Sequence, residues 1–174
     1  MSITIEQFLS FSESEQLQTI KALNDTEQVE TIIDVLTSVG TENLSISLLG
    51  ELGRAYNNNG NEKEAIKVLE SIDEEYRDAV WYYRCAYAYG AIALDNNESY
   101  TSDIMKQMLR LVDQGVRLAQ EKNLDDIKSY CFEVIDMCYM RMDFEQCEAE
   151  RGAAIYLSCD IDVTHCTYHE CVPK

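Results

Sequence analysis

The sequence predicts an all-α fold made of antiparallel helix pairs, and three observations carry that reading. One proline and seven glycines in 174 residues leave few helix breakers, whereas sandwiches and barrels need more turn punctuation. Apolar side chains recur three and four residues apart along most of the chain, the spacing that lines one face of a helix. Polar capping residues stand ahead of several of those runs. With 46% apolar and 26% charged residues, a chain of this length fits one domain that needs neither disulfides nor metals for its core.

Residues 1–40 read as N-terminal capping helices. Ser12 with Glu15 has capping-box spacing ahead of Leu17, Ile20 and Leu23. Asp25 with Gln28 has the same spacing ahead of Val29, Ile32, Ile33, Leu36 and Val39, a stripe that Gly40 closes.

Residues 41–157 read as helical repeats. Leu49, Leu52, Gly53 and Tyr56 share one helical face, and residues 57–60 stop that helix. Asn61 with Glu64 opens the next, which carries Ala65, Ile66, Leu69 and Ile72. So tight a turn forces the two helices to lie antiparallel, and the small Gly53 and Ala65 let their backbones approach. After a turn at residues 72–76, Asp78 can cap a helix from Ala79 that bears Trp81, Tyr82, Tyr83, Tyr87 and Tyr89. Those rings fall on every side of the helix, so some must face away from the core.

Residues 95–99 form a loop ahead of a long helix, whose buried side is Ile104, Met108, Leu111, Val112, Gly115, Leu118 and Ala119. Asn123 opens a further helix with Leu124, Ile127, Cys131, Val134, Ile135 and Cys138 inward, and residues 143–157 are its expected partner. Residues 158–174 form a C-terminal tail, extended around residues 159–163.

Leu52-Gly53 followed by Tyr56, with Gly60 in the turn and Ala65 in the second helix, resembles the tetratricopeptide repeat, a helix-turn-helix unit of roughly 34 residues. Cys85-Ala86 followed by Tyr89 repeats the first part of that pattern, and Ile135 with Tyr139 before a turn at residues 141–143 gives a third unit. The resemblance implies an α-solenoid of about three repeats behind the N-terminal helices, with the first helix of each repeat lining a binding face. Carried over residue by residue, the outward positions are Arg54, Asn57 and Asn58, then Tyr83 and Tyr87, then Tyr130, Glu133 and Met137. Aromatics with Met and Arg are the residue types that anchor protein interfaces. Chaperone-binding members of the family hold an acidic C-terminal peptide with several groove lysines and arginines. Arg54 alone qualifies here, which makes such a peptide a poor ligand. Residues 49–89 also look like the repeat segment of bacterial proteins thought to be immunity proteins of polymorphic toxin systems, although the suppressor-of-fused-like domain of those proteins is missing.

The net charge is −18 and is spread along the chain. Acids outnumber bases nine to two in residues 1–60, eleven to seven in 61–120 and twelve to five in 121–174. Without a basic patch the chain lacks the cations that displace counterions from nucleic acid, and an anionic membrane surface repels it. A basic protein is the partner this field attracts. The first residues show neither a basic n-region nor an apolar core of a secretory signal, and no run approaches the ~20 apolar residues of a spanning helix. Seven cysteines is an odd number, and Cys85, Cys131, Cys138 and Cys147 sit in helical patterns as small hydrophobes would. A reduced, cytoplasmic setting is expected.

Soft metal ligands gather only in the tail, at Cys159, His165, Cys166, His169 and Cys171. His165, Cys166, His169 and Cys171 could furnish a zinc tetrahedron, but neighbours in sequence rarely bind one ion and paired Cys-x-x-Cys spacing is absent. No phosphate-binding glycine loop, nucleophile elbow or zinc-protease helix occurs, and both histidines lie in the tail. The expectation is therefore a non-catalytic protein–protein interaction module without a cofactor. It would hold a partner in an acidic, aromatic-lined groove, as an immunity protein neutralises a basic toxin. The alternatives are a regulatory or assembly scaffold that binds a peptide, and a zinc-binding protein that uses the tail.

Overall fold

A computed structural model describes residues 3–99 and 101–140. The described residues hold eight α-helices and two short 3-10 helices, with no strand among them. The α-helices are α1 (Ile5–Ser10), α2 (Glu13–Asp25), α3 (Val29–Val39), α4 (Ile46–Asn58), α5 (Glu62–Glu70), α6 (Ala79–Asp95), α7 (Asp103–Glu121) and α8 (Asp125–Met140).

Side-chain caps start most of these helices. Thr4 with Gln7 and Ser12 with Glu15 form complete capping boxes for α1 and α2. Ser45, Asp78 and Ser102 accept the first free backbone N–H groups of α4, α6 and α7. Two expected caps do not form. Asp25 is the last residue of α2, and the chain turns through Glu27 at φ +58° before α3 begins at Val29, behind a Gln28 that makes no side-chain cap bond. Asn61 precedes α5 but its side chain makes no cap bond. Asn123 likewise sits in a left-handed turn at φ +54°, ahead of α8 rather than at its cap.

Each helix from α2 onward packs against the next in sequence, and α2, α4, α6 and α8 also touch in series. Short turns join most of the consecutive helices, and small residues set how closely some of them approach. A Cβ on Gly53 of α4 would lie 2.6 Å from Leu69 of α5. One on Gly115 of α7 would lie 2.9 Å from Cys131 Sγ of α8 and 3.3 Å from Tyr82 of α6. Only a residue without a side chain fits such gaps. Helices α6 and α8 run parallel: Tyr83 stacks on Tyr130, and two turns along both helices Gly90 meets Met137.

The core runs through the middle of these pairs. Ile32, Leu36, Leu52, Leu69, Met105, Met108 and Val112 are fully buried, and so are Cys85, Cys131 and Cys138. Trp81 is buried too, and its indole N–H donates to the Leu69 carbonyl at 2.7 Å. On α7 the expected Met108, Leu111, Val112, Gly115 and Ala119 are buried and Met105 and Val116 join them, whereas Ile104 and Leu118 are half-buried; Leu124, expected inward, is exposed. Residues 141–174 lie outside the described residues, and with them the expected partner helix of α8, the extended segment and the tail candidates Cys159, His165, Cys166, His169 and Cys171.

Candidate functional site

A groove of about 700 Å³ runs across α2, α4, α6 and α8. It gathers six of the eight positions expected at the binding face: Arg54, Asn57 and Asn58 from α4, Tyr83 and Tyr87 from α6, and Tyr130 from α8. Glu133 and Met137 do not line it. Glu133 is exposed one turn along α8 from Tyr130. Met137 is half-buried, with its Cε beside Gly90 in the α6–α8 contact.

The tyrosines owe their place to helical spacing. Tyr83 and Tyr87 are four apart on α6 and fall on the face opposite Cys85 and Ala88, which are fully buried. Tyr83 and Tyr130 lie with ring centroids 5.4 Å apart at 35°. Tyr130 remains 41% exposed, so the pair presents aromatic surface rather than core. Burial first, then the carboxylate of Glu133, pushes the Tyr83 phenol above its ordinary range, so the ring is neutral and its hydroxyl keeps its proton at physiological pH.

Below the α2–α4–α6 part of the groove lies a polar cluster centred on Glu51, which is only 4% exposed. Its Oε1 is 2.8 Å from Arg84 Nη2, and its Oε2 accepts from Asn24 Nδ2 at 2.8 Å. Arg54 reaches the same carboxylate at 3.7 Å and Asp25 at 3.1 Å. Gly50 makes the arrangement possible, because a Cβ there would stand 3.1 Å from Arg84 Nη1. Arg54 is thus tied into internal ion pairs and not held free for a partner. Asn57 is also more than a surface contact. It is 7% exposed and donates Nδ2 to the Arg84 carbonyl at 2.9 Å. Its Oδ1 is buried and accepts from no group of the described protein.

Arg54 is the one base expected in the groove, and the structure corrects this. Lys21 from α2 and Arg84 from α6 line it as well, against Asp25, Glu51 and Asp78. Lys21 enters because α2, expected only as part of a cap, contributes a wall. Glu51, Arg84 and Asn24 escape the sequence reading, although one signal points to the pair: Glu51 and Arg84 stand 33 residues apart, the same offset as the repeat pattern. Opposite charges at that offset, on α4 and α6, are the signal that local reading passes over.

A smaller hollow of about 240 Å³ lies between α5, α6 and α7. There Arg77 lies over the Trp81 ring at 4.4 Å, and the Tyr89 hydroxyl donates to Glu70 Oε1 at 2.8 Å. Among the described residues no group of three or more potential metal ligands comes together. No helix there is long and apolar enough to cross a membrane. Family models, curated proteins and solved structures all fail to match this chain.

Proposed function

We propose that the chain is a tetratricopeptide-like α-solenoid that holds a segment of a basic protein in the groove across α2, α4, α6 and α8, and that it catalyses no reaction. The convergence of Tyr83, Tyr87 and Tyr130 with Asn57 and Asn58 on that one groove carries the reading. Serial contact among α2, α4, α6 and α8 is what stacked helix pairs require, since each unit buries its apolar face only against its neighbours. The net charge of −18 supplies the attraction that brings a basic polypeptide to the surface. An immunity protein that plugs a basic toxin in a reduced, cytoplasmic setting is the form of this function that we favour.

One observation favours a second reading. Three bases and three acids in the groove lining balance each other, which suits a scaffold that recognises a peptide by shape and hydrogen bonding rather than by charge. Capture by the wild-type chain and by an Asn58→Trp, Tyr87→Ala variant, compared by mass spectrometry, tests the groove. A basic polypeptide retained by the wild type and lost by the variant is expected. Equal retention by both proteins overturns the reading.

A further inference from the structure

We infer that the α6–α8 end of the groove is a notch for an arginine side chain, with Tyr83, Tyr87 and Tyr130 as its aromatic walls, Glu133, one turn beyond the lining on α8, as the counter-charge at its rim and Asn57 Oδ1 as a buried acceptor. This rests on the groove reading above and adds the chemical group that the groove selects.

Several independent features converge on a planar cation. The Tyr83–Tyr130 pair offers ring faces, which attract a cation stacked on them. Glu133 is an exposed carboxylate with no ion pair among the described residues, and it stands close enough to Tyr83 to raise that phenol, second only to burial. It lies on the same face of α8 as Tyr130. Lys21 of the groove is on α2, Arg54 is paired with Asp25 and Glu51, and Arg84, next to Tyr83, is engaged at 2.8 Å by Glu51.

Asn57 supplies the observation that points to a ligand. Its amide nitrogen is held on the Arg84 carbonyl, one residue from Tyr83, and this fixes which end of the amide is the acceptor. The acceptor left over is buried without a protein partner in a residue that lines the groove. A buried acceptor without a partner carries a desolvation cost that a donating ligand relieves. A guanidinium fits this set better than an ammonium. It stacks flat on tyrosine while its in-plane N–H groups reach two separate acceptors.

The test uses the seven-residue probe Ala-Gly-Ala-Arg-Ala-Gly-Ala, with lysine, citrulline or glutamate replacing arginine in three companions. The readout is the ring resonances of tyrosine-labelled protein, assigned through Tyr83→Phe, Tyr87→Phe and Tyr130→Phe. Arginine is expected to shift all three rings, lysine to bind more weakly, and citrulline and glutamate to shift none. Glu133→Gln and Tyr130→Ala should each weaken the arginine probe by roughly 3-fold. Glu30→Gln, an exposed acid on α3 away from the groove, should leave its affinity unchanged. Citrulline binding as tightly as arginine, or Glu133→Gln behaving like Glu30→Gln, sinks the notch alone. Silence of every groove resonance toward all four probes sinks the notch and counts against the groove reading too.

Discussion

Arg84 Nη2 lies 2.8 Å from Glu51 Oε1, and the two side chains keep only 13% and 6% of their exposure. The pair joins α4 to α6 beneath the groove, so the walls that bear Asn57 and Tyr83 are set by a charge contact largely out of water. Such a pair is weak as a source of stability but costly to break, because the surviving charge keeps its burial and loses its partner. Glu51→Ala is expected to destabilise by about 3 to 5 kcal/mol. Glu51→Leu with Arg84→Met should recover most of that loss. Denaturant unfolding of the three proteins checks this, and a double variant no better than the single one refutes it.

Two glycines are needed for different reasons, and substitution separates them. Gly53 is crowded, since a Cβ would stand 2.6 Å from the Cγ of the fully buried Leu69. Gly53→Val should cost about 3 kcal/mol by overpacking, and Leu69→Ala should cost less in that background than in the wild type. At Gly60 an added methyl group would meet nothing within 4 Å, but the residue turns the chain at φ +70°. Gly60→Ala should therefore cost about 1 kcal/mol and Gly60→Asn less, through the backbone alone. Thermal melts of the five variants, the double one included, discriminate the two causes.

The helices are legible in the sequence because their signals are local. Ser12 with Glu15, Asp78 ahead of Ala79 and the closing Gly40 are each read within four residues, and each acts in the structure as its spacing implies. The caps expected at Asp25 and Asn61 fail where a turn competes for the same residues. Asp25 stays helical and takes Arg54 of α4 as its partner, a contact 29 residues away that no local pattern encodes. The groove tyrosines follow from the helical period of α6, whereas the burial of Asn57 follows from where α6 docks on α4. Arg54 is held instead by Asp25 of α2 and by Glu51 of its own helix, contacts that depend on where α2 lies against α4.

Alkaline pH should unfold the protein earlier than its tyrosines and lysines alone require. Burial pushes the Cys131 thiol up to about 12 and the Cys138 thiol up to about 11, from an ordinary value near 9. Burial raises Cys85 further still, with the Glu70 carboxylate adding to it. A folded-state value above the unfolded one means that the unfolded chain releases its protons first. The stabilisation is complete below pH 9 and is lost as pH rises toward 11 and 12, by about 1.4 kcal/mol per pH unit for each thiol in that window. Melting temperature against pH should bend downward above 9, and Cys131→Ala with Cys138→Ala should flatten the bend. Iodoacetamide at pH 8 should spare Cys85, Cys131 and Cys138 until denaturant is added, which peptide mass mapping reads directly.

Salt separates the two readings of the groove. A partner drawn by a chain of net charge −18 associates through a long-range field that dissolved ions screen, with a Debye length falling from about 30 Å at 0.01 M to about 8 Å at 0.15 M. Its association rate should then fall by roughly 10-fold or more over that range, while dissociation changes little. A peptide recognised by a lining in which Lys21, Arg54 and Arg84 offset Asp25, Glu51 and Asp78 feels almost no such change. Stopped-flow association of the polypeptide captured through the groove decides between them. A steep slope favours toxin capture, and a flat one favours the peptide scaffold. Glu133→Gln adds a second axis, because it removes one local acceptor from a chain of 32 acids and barely alters the distant field. It should speed dissociation and leave the salt slope of association in place, as expected if steering and docking are the work of different charges.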